Sequence, residues 1–191
     1  MEPKKMDTKK IESGFRLVME GLGLDLSDPH MADSPQRVAK AWTEELCRGL
    51  KEPELRMRTF PLMAGYDPSM VVLQDIPVKS LCAHHLLPFV GKATVAYIPQ
   101  KKLCGLSKLS RIVDHFSRKP QVQENLTHEI ARFLQDNLDP LGIGVIVKAS
   151  HFCMELRGVN HKGVMTTSTL MGVFLTDPTV RAEFMALAQA E

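Results

Sequence analysis

Residues 80–89 read Ser-Leu-Cys-Ala-His-His-Leu-Leu-Pro-Phe, and the rest of the chain is organised around this segment. Residues 70–79 before it are rich in valine and isoleucine, and residues 89–98 after it also have the pattern of a β-strand. The segment is therefore predicted to be the loop that joins two strands. Within it, Cys82 and His85 have the short spacing of half a metal site.

A second segment, residues 151–158, reads His-Phe-Cys-Met-Glu-Leu-Arg-Gly and supplies a third candidate ligand, Cys153. Two thiolates, one imidazole and one vacant position are typical of a catalytic zinc site, where the vacancy would hold a water of lowered pKa. Residues 143–156 have the pattern of a strand, so His151 and Cys153 are predicted to share a face. His84 and His151 would then be spare imidazoles, suited to proton transfer.

Other interpretations of the cysteines stay open on spacing alone. A single C-x-x-H pattern is weak, and being buried as small apolar side chains is the commoner fate of free cysteines such as Cys82 and Cys153. A disulfide between them is disfavoured, because the charged first residues are not followed by the apolar region of a signal peptide. Cys47 and Cys104 have no motif partner and are interpreted as packing residues.

The composition is that of an ordinary globular protein and excludes few functions. The 191 residues are enough for one substantial domain or for a core with an appendage, and 44% of them are hydrophobic and 24% charged. A net charge of +2 gives no general argument for binding nucleic acid or membrane surfaces, and no apolar run reaches transmembrane length. Four cysteines without a regular framework fit a reducing compartment, so a cytoplasmic location is predicted.

Helical and strand patterns alternate along the chain in an order typical of an α+β fold with an antiparallel sheet. The predicted helices are residues 6–22, a segment opening at Ser34-Pro35 and ending at Gly49, a segment opening with Ser107 as N-cap, residues 121–138 and residues 179–189. The predicted strands are residues 70–79, 89–98, 143–156 and 164–175. Prolines and a glycine in residues 51–69 indicate a connection, so an N-terminal helical region (1–50) and a mixed domain (51–191) are predicted.

Two pairs of cations lie on predicted helices. Arg37 and Lys40, three residues apart, share a helix face, and a solvated surface is the favoured interpretation. Lys108 and Arg111 lie in a first helical turn, where they oppose the helix dipole. Local sequence gives equal weight to an anion bound there and to ordinary surface cations. Glu124 opens the next helix, where the dipole alone is sufficient reason for a carboxylate.

Several separated motifs, in one order, resemble the GTP cyclohydrolase I family over about residues 10–188. These motifs are Ser34-Pro35-x-Arg37-Val38-Ala39-Lys40, Cys82-x-His84-His85-Leu86-x-Pro88-Phe89, Gly105-Leu106-Ser107-Lys108-Leu109-x-Arg111-Ile112-Val113, Gln121-Val122-Gln123-Glu124, and His151-x-Cys153-Met154-x-x-Arg157-Gly158. The resemblance implies a tunnelling fold, in which an antiparallel four-stranded sheet is backed by helices, here with an N-terminal helical extension. It also implies a homodecamer of two pentameric rings with active sites at subunit interfaces.

The resemblance implies zinc-dependent hydrolysis of the imidazole ring of GTP, giving formate and 7,8-dihydroneopterin triphosphate. Zinc would be held by Cys82, His85 and Cys153. The other roles carried over are proton transfer by His84 and His151, ribose contact by Ser107, guanine reading by Glu124 with Gln123 beside it, and triphosphate binding by Arg37, Lys40, Lys108, Arg111 and Arg157. A carboxylate suits guanine because it accepts from N1–H and the 2-amino group together.

Three features depart from the family pattern. Ala83 stands where glutamate is usual, Asn125 stands where arginine is usual, and the loop 159–165 is shorter than usual. They leave open an alternative function, a zinc-stabilised nucleotide-binding homologue with reduced or lost turnover. A fold-related nitrile reductase is a further alternative, disfavoured because its chemistry needs no zinc. The intact pair His84 and His151 favours the hydrolase.

Overall fold

The computed structural model describes residues 6–51 and 55–189. The chain separates into two compact units, Met1–Pro53 and Glu54–Glu191. No helix within the described ranges has both the length and the apolar character needed to span a bilayer.

The first unit is helical, as the periodicity predicts. Helix α1 spans Thr8–Gly21, and the Asp7 carboxylate caps it by accepting from the Lys10 N–H. Helix α2 spans Ser34–Ala41 and continues as one π-helical turn over Trp42–Leu46. The N-cap of α2 is Asp33 rather than the predicted Ser34, which begins the helix itself.

A mixed five-stranded sheet forms the centre of the second unit, with the order β5-β2-β3-β6-β7. Its strands are β2 (Val71–Cys82), β3 (Pro88–Ile98), β5 (Pro120–Gln121), β6 (Gly142–His151) and β7 (Val164–Gly172). Neighbouring strands are antiparallel except β5, which runs parallel to the end of β2. Strands β1 (Thr59–Pro61) and β4 (Lys102–Cys104) form a separate two-stranded sheet. The α+β prediction is confirmed, and β1, β4 and β5 are additions to the four predicted strands.

Helices cover both faces of the sheet, one face more completely than the other. Helices α3 (Leu106–Ser117) and α4 (Gln123–Leu138) pack on one face, over a core that includes Val95 and Ile143. On the other face lie α6 (Val173–Thr176) and α7 (Pro178–Leu187), whose Phe174 and Phe184 rings meet edge to face. Gly144 permits this second layer, since a Cβ there would lie within 2.9 Å of both rings.

Several further predicted boundaries were wrong. Strand β7 ends at Gly172, and Val173–Thr176 form α6 in place of the predicted strand end at 175. Strand β2 runs on to Cys82, so this cysteine ends a strand and does not lie in the loop. Strand β6 ends at His151, and Phe152–Glu155 form a short helical turn, α5, in place of the predicted strand end. Helix α3 is capped by Gly105, so the predicted N-cap Ser107 lies inside its first turn.

Candidate active site

Three predicted ligands from distant parts of the chain converge at one end of the sheet. The ligand atoms of Cys82, His85 and Cys153 all lie within 4.8 Å of one another. The Cys82 Sγ and His85 Nδ1 atoms are 3.7 Å apart. Zinc bonds of 2.3 Å to sulfur and 2.0–2.1 Å to nitrogen, at a tetrahedral angle, require a separation of about 3.6 Å between two such atoms. The donor set therefore fits a zinc ion by both chemistry and spacing.

The turn between β2 and β3 presents the first two ligands. The Cys82 N–H donates to the Leu87 carbonyl, and the Leu86 N–H donates back to the Cys82 carbonyl, each over 2.8 Å. Leu86 has a φ of 55°, a conformation that is costly for a residue with a side chain. The Ala83 N–H donates to the Gln121 carbonyl over 2.9 Å, which ties this turn to β5.

The pairing of β3 with β6 brings the third ligand to the same place. Phe89 lies opposite His151 in the register, so the chain leaving β6 reaches the metal turn directly. The α5 turn, and not a shared strand face, then sets Cys153 beside Cys82. Burial, and next the neighbouring Cys82 thiol, raise the pKa of Cys153. A metal would displace that proton, since zinc binds the thiolate.

The two candidate proton-transfer histidines have very different surroundings. His84 is exposed on the turn, and its ring meets the His85 ring edge-on at 6.2 Å. His151 is half-buried and stacks on the Phe89 ring, with centroids 4.6 Å apart and planes inclined by 11°. Burial lowers the pKa of His151 below 6.5, and the nearby Glu124 carboxylate opposes this in part. Neutral imidazole is therefore the resting form of His151 at neutral pH.

Gln123 is turned into the protein rather than toward solvent. Its side chain is among the fully buried ones, and its Oε1 lies 2.8 Å from His151 Nε2. Its Nε2 lies 3.0 Å from the carbonyl oxygens of both Val147 and Met165, to which it donates. The pattern of the sequence places Gln123 beside Glu124 but carries no signal for this orientation, which depends on strands that are distant along the chain.

A cavity of about 190 Å³ opens beside the ligands. It is lined by Cys82, His84, His85, Gln121, Val122, Gln123, Glu124, His151, Cys153 and Met165. Glu124 is exposed in the first turn of α4, where a carboxylate complements the helix dipole, and it lines the cavity. The sequence motifs contain most of these residues, but Met165 and the stacking partner Phe89 were not singled out as functional.

The remaining predicted site residues lie outside this cavity. Ser107, Lys108 and Arg111 are on α3, where the Lys108 ammonium donates to the Arg56 carbonyl over 3.4 Å. Arg157 is exposed just after α5, near enough to Cys153 for its charge to lower that pKa slightly. Arg37 and Lys40 belong to the first unit, where they form exposed ion pairs with Asp33 and Glu44. Among the described residues of the second unit, none of those that line the cavity is a lysine or an arginine.

Comparison with known proteins gives one consistent result. A family model described as GTP cyclohydrolase I matches residues 11–189. The protein named GTP cyclohydrolase 1 from Sulfurihydrogenibium sp. is 50% identical over 184 residues, covering 95% of both chains. Its namesake from Aquifex aeolicus is 47% identical over 186 residues, covering 96% of this chain and 98% of that one. A solved structure titled as the apo form of the archaeosine synthase QueF-Like aligns over 55% of this chain and 96% of that one, at 17% identity and a TM-score of 0.44.

Proposed function

The chain belongs to the GTP cyclohydrolase I family, and we infer that it is a zinc-dependent GTP cyclohydrolase I. The α+β fold described above is the tunnelling fold expected of that family. The observation that carries the inference is the convergence of Cys82, His85 and Cys153 beside a cavity that also holds two further histidines and a carboxylate. The proposed reaction opens the imidazole ring of GTP, with release of formate and formation of 7,8-dihydroneopterin triphosphate.

The metal site has the form expected for catalysis. Three protein ligands leave one of four tetrahedral positions open, whereas structural zinc sites are usually closed by four. A zinc ion bound there supplies Lewis acidity and a water that ionises near neutral pH. Cys82, His85 and Cys153 would hold the ion, and no other cluster of three such side chains was found among the described residues.

The chain's own side chains account for guanine recognition. Glu124 lines the cavity, and its two oxygens match the N1–H and 2-amino donors of guanine. Adenine offers an acceptor at N1, so its lone pair would face the carboxylate. Charged hydrogen bonds are worth more than neutral ones, which favours GTP strongly over ATP.

Proton transfer falls to His84 and His151. Both line the cavity that contains the metal ligands, which supports a role in proton transfer to a base bound there. A positioned acid or base typically contributes about 10²–10⁴-fold in rate. We assign both to proton transfer during ring opening and the later rearrangement, with Ser107 contacting the ribose.

The departures from the family pattern leave this machinery in place. Ala83 is exposed, and its contribution to the site is a backbone N–H donated to Gln121. Asn125 donates to the Gln121 side chain over 3.1 Å, so it has a structural partner of its own. Neither position removes a metal ligand or a histidine, which supports turnover over the alternative of a binding homologue without activity.

The triphosphate requires more than the cavity offers. A volume of about 190 Å³ is below the 300–1,000 Å³ of typical small-molecule pockets. We propose that neighbouring subunits complete the site and that Lys108, Arg111, Arg157, Arg37 and Lys40 converge on the phosphates in the assembly. The proposed assembly is a decamer of two pentameric rings. A cytoplasmic location is also proposed, because the ligand thiols Cys82 and Cys153 stay reduced there.

Incubation of the purified, zinc-loaded protein with GTP tests the function. Formate and, after oxidation, fluorescent neopterin are expected in equal amounts. His84→Ala should keep its zinc and lose about 10²–10⁴-fold in turnover, whereas His128→Ala, an exposed histidine on α4 outside the cavity, should keep both. GTP binding without formate from the wild-type protein would establish the inactive homologue instead.

A further inference from the structure

We propose that Gln123 is a positioning residue that fixes the tautomer and orientation of His151, and that its side chain takes no part in reading guanine. The proposal rests on the proposed function only in taking His151 as a proton-transfer group. Its starting point is the 2.8 Å contact between Gln123 Oε1 and His151 Nε2, in a side chain with almost no exposed surface.

Two backbone carbonyls decide which way the Gln123 amide faces. Nε2 lies 3.0 Å from both the Val147 and Met165 oxygens, on strands β6 and β7. With the amide reversed, its oxygen would face both carbonyls, and buried acceptors without donors are costly. The amide oxygen therefore faces His151.

A pair of threonines supports the same orientation. The Thr127 hydroxyl donates to the backbone carbonyl of Gln123 over 2.8 Å, so its single proton is used. Its oxygen, 2.6 Å from Thr167 Oγ1, must then accept from Thr167. Thr167 keeps a lone pair toward Gln123 Nε2 at 3.2 Å, so three acceptors surround the two N–H protons of the amide.

An amide oxygen can only accept, so His151 must carry a proton on Nε2. In the neutral ring this leaves Nδ1 without a proton, and the tautomer is set by the partner of the other nitrogen. The Phe89 stack fixes the ring plane, and Gln123 fixes the rotation of the ring within it. His151 thus meets the reacting atoms in one defined state, and Nδ1 is the nitrogen left to exchange a proton with them.

Both possible roles of Gln123 predict a loss on substitution, but the losses differ in kind. A guanine reader would raise KM and erode the preference of GTP over ITP, which lacks the 2-amino group. A residue acting through His151 would lower kcat on substitution with little change in KM. In a protein that already lacks His151, the same substitution would not lower kcat further. A double-mutant cycle between the two positions therefore separates them.

The cycle compares wild type, Gln123→Met, His151→Ala and the double variant, all zinc-loaded, with zinc content, kcat, KM and the GTP-to-ITP ratio measured. Methionine keeps the length of glutamine and removes its polar atoms. We expect Gln123→Met to lower kcat about 10-fold or more, to leave KM and the GTP-to-ITP ratio within about 2-fold, and to change the His151→Ala rate by less than about 2-fold. Gln135→Met, twelve residues further along α4, is the matched control and should behave as wild type.

A second variant keeps the test informative if methionine unfolds the site. Gln123→Glu in its neutral form retains an acceptor for His151 and one donor, so it should recover most of the kcat lost in Gln123→Met. The positioning role would be overturned if Gln123→Met lowered kcat by the same factor with and without His151. It would also be overturned if the preference for GTP over ITP, measured as kcat/KM, fell close to one. A wild-type protein that forms no formate from GTP would overturn the proposed function, and the positioning role with it.

Discussion

Glu124 is exposed at the start of α4 and serves two purposes that a single substitution separates. As a carboxylate in a first helical turn it stabilises the helix by about 0.3–1 kcal/mol. As a cavity residue it is our candidate reader of guanine. We expect Glu124→Gln to lower kcat/KM for GTP by about 10- to 100-fold, which is the loss of one charged hydrogen bond. Zinc content should not change, because the carboxylate is not a ligand.

Kinetics with three nucleotides check this prediction. Wild-type protein should prefer GTP to ITP, the variant should show a smaller preference, and neither should turn over ATP. Glu183→Gln, an exposed glutamate on α7, is the control for loss of a carboxylate. A change in melting temperature alone, with kinetics intact, would leave Glu124 as nothing more than a helix-stabilising residue.

Tyr97 and Cys104 form a buried pair outside the cavity, and burial raises the pKa of both. Because burial disfavours the ionised forms, the fold keeps its full stability below the unfolded pKa of each group, and stability falls as the pH rises from that value through the raised folded pKa. Thermal unfolding should therefore show falling stability above about pH 9, the ordinary value for a thiol. Tyr97→Phe should make the free energy of unfolding fall less steeply with pH above about pH 10, the ordinary tyrosine pKa.

The same substitution tests a hydrogen bond. The Cys104 N–H donates to the Tyr97 hydroxyl over 3.0 Å, and both residues are buried. Removing the hydroxyl leaves a buried donor unpaired, so Tyr97→Phe should cost about 1–3 kcal/mol at neutral pH. Tyr66→Phe, on an exposed tyrosine, should cost less than about 0.5 kcal/mol at neutral pH. Equal effects of both variants would contradict the assignment.

At the scale of elements, the two-residue strand β5 holds the metal turn in place. Its Gln121 carbonyl accepts from the Ala83 N–H, and its side-chain amide donates to Glu129 over 2.6 Å and accepts from Asn125. Glu129 in turn pairs with Lys119 at 3.0 Å in a mostly buried ion pair. This network fixes β5 against α4, and β5 fixes the turn that carries two of the ligands.

Loss of the Gln121 amide should therefore weaken zinc binding without abolishing turnover of the zinc-loaded protein. We expect Gln121→Met to release zinc to a chelator about 10- to 100-fold faster, as is typical for groups that orient metal ligands. Turnover should recover in excess zinc. Gln100→Met, an exposed position after β3, is the control. Zinc release at the wild-type rate would show that β5 does not support the turn.

The main elements could be predicted from sequence because each carries its own periodicity, and their ends could not. Residues 143–151 alternate between two buried faces, a pattern that long-range pairing confirms as β6. The change to a helical turn at Phe152 has no local signal, since the apolar pattern runs on through Leu156. Strand β5 is too short for any periodicity, and its existence depends on pairing with a strand some forty residues earlier.

For the whole molecule, the proposal concerns the assembly. Among the described residues, the cations proposed to bind the phosphates lie outside the cavity, and we propose that neighbouring subunits bring them together. Light scattering at micromolar concentration should give about 214 kDa, ten times the 21.4 kDa of one chain. A monomer or dimer with full turnover would contradict both the decamer and the shared site.

The ligands and the two histidines could be proposed from residue type and spacing, whereas the role of Glu124 came only from the family resemblance. The orientation of Gln123 could not be predicted, because it depends on carbonyl groups 24 and 42 residues away. The placement of Arg37 and Lys40 relative to the phosphates also stays a prediction, since they belong to the helical first unit. Local patterns thus identify chemical groups, and tertiary pairing decides which way those groups face.

The distance along the chain between Cys82 and Cys153 has a thermodynamic consequence. A metal held by both residues acts as a removable cross-link, closing a loop of about seventy residues that contains β3, α3, α4 and β6. By the chain-entropy estimate for a covalent link, closing such a loop disfavours the unfolded chain by about 4 kcal/mol. Chelation should therefore lower the melting temperature by about 10 °C, and Cys153→Ala should melt at one temperature with or without chelator. The zinc ion proposed for catalysis would then also stabilise the fold by linking the end of β2 to the turn that follows β6.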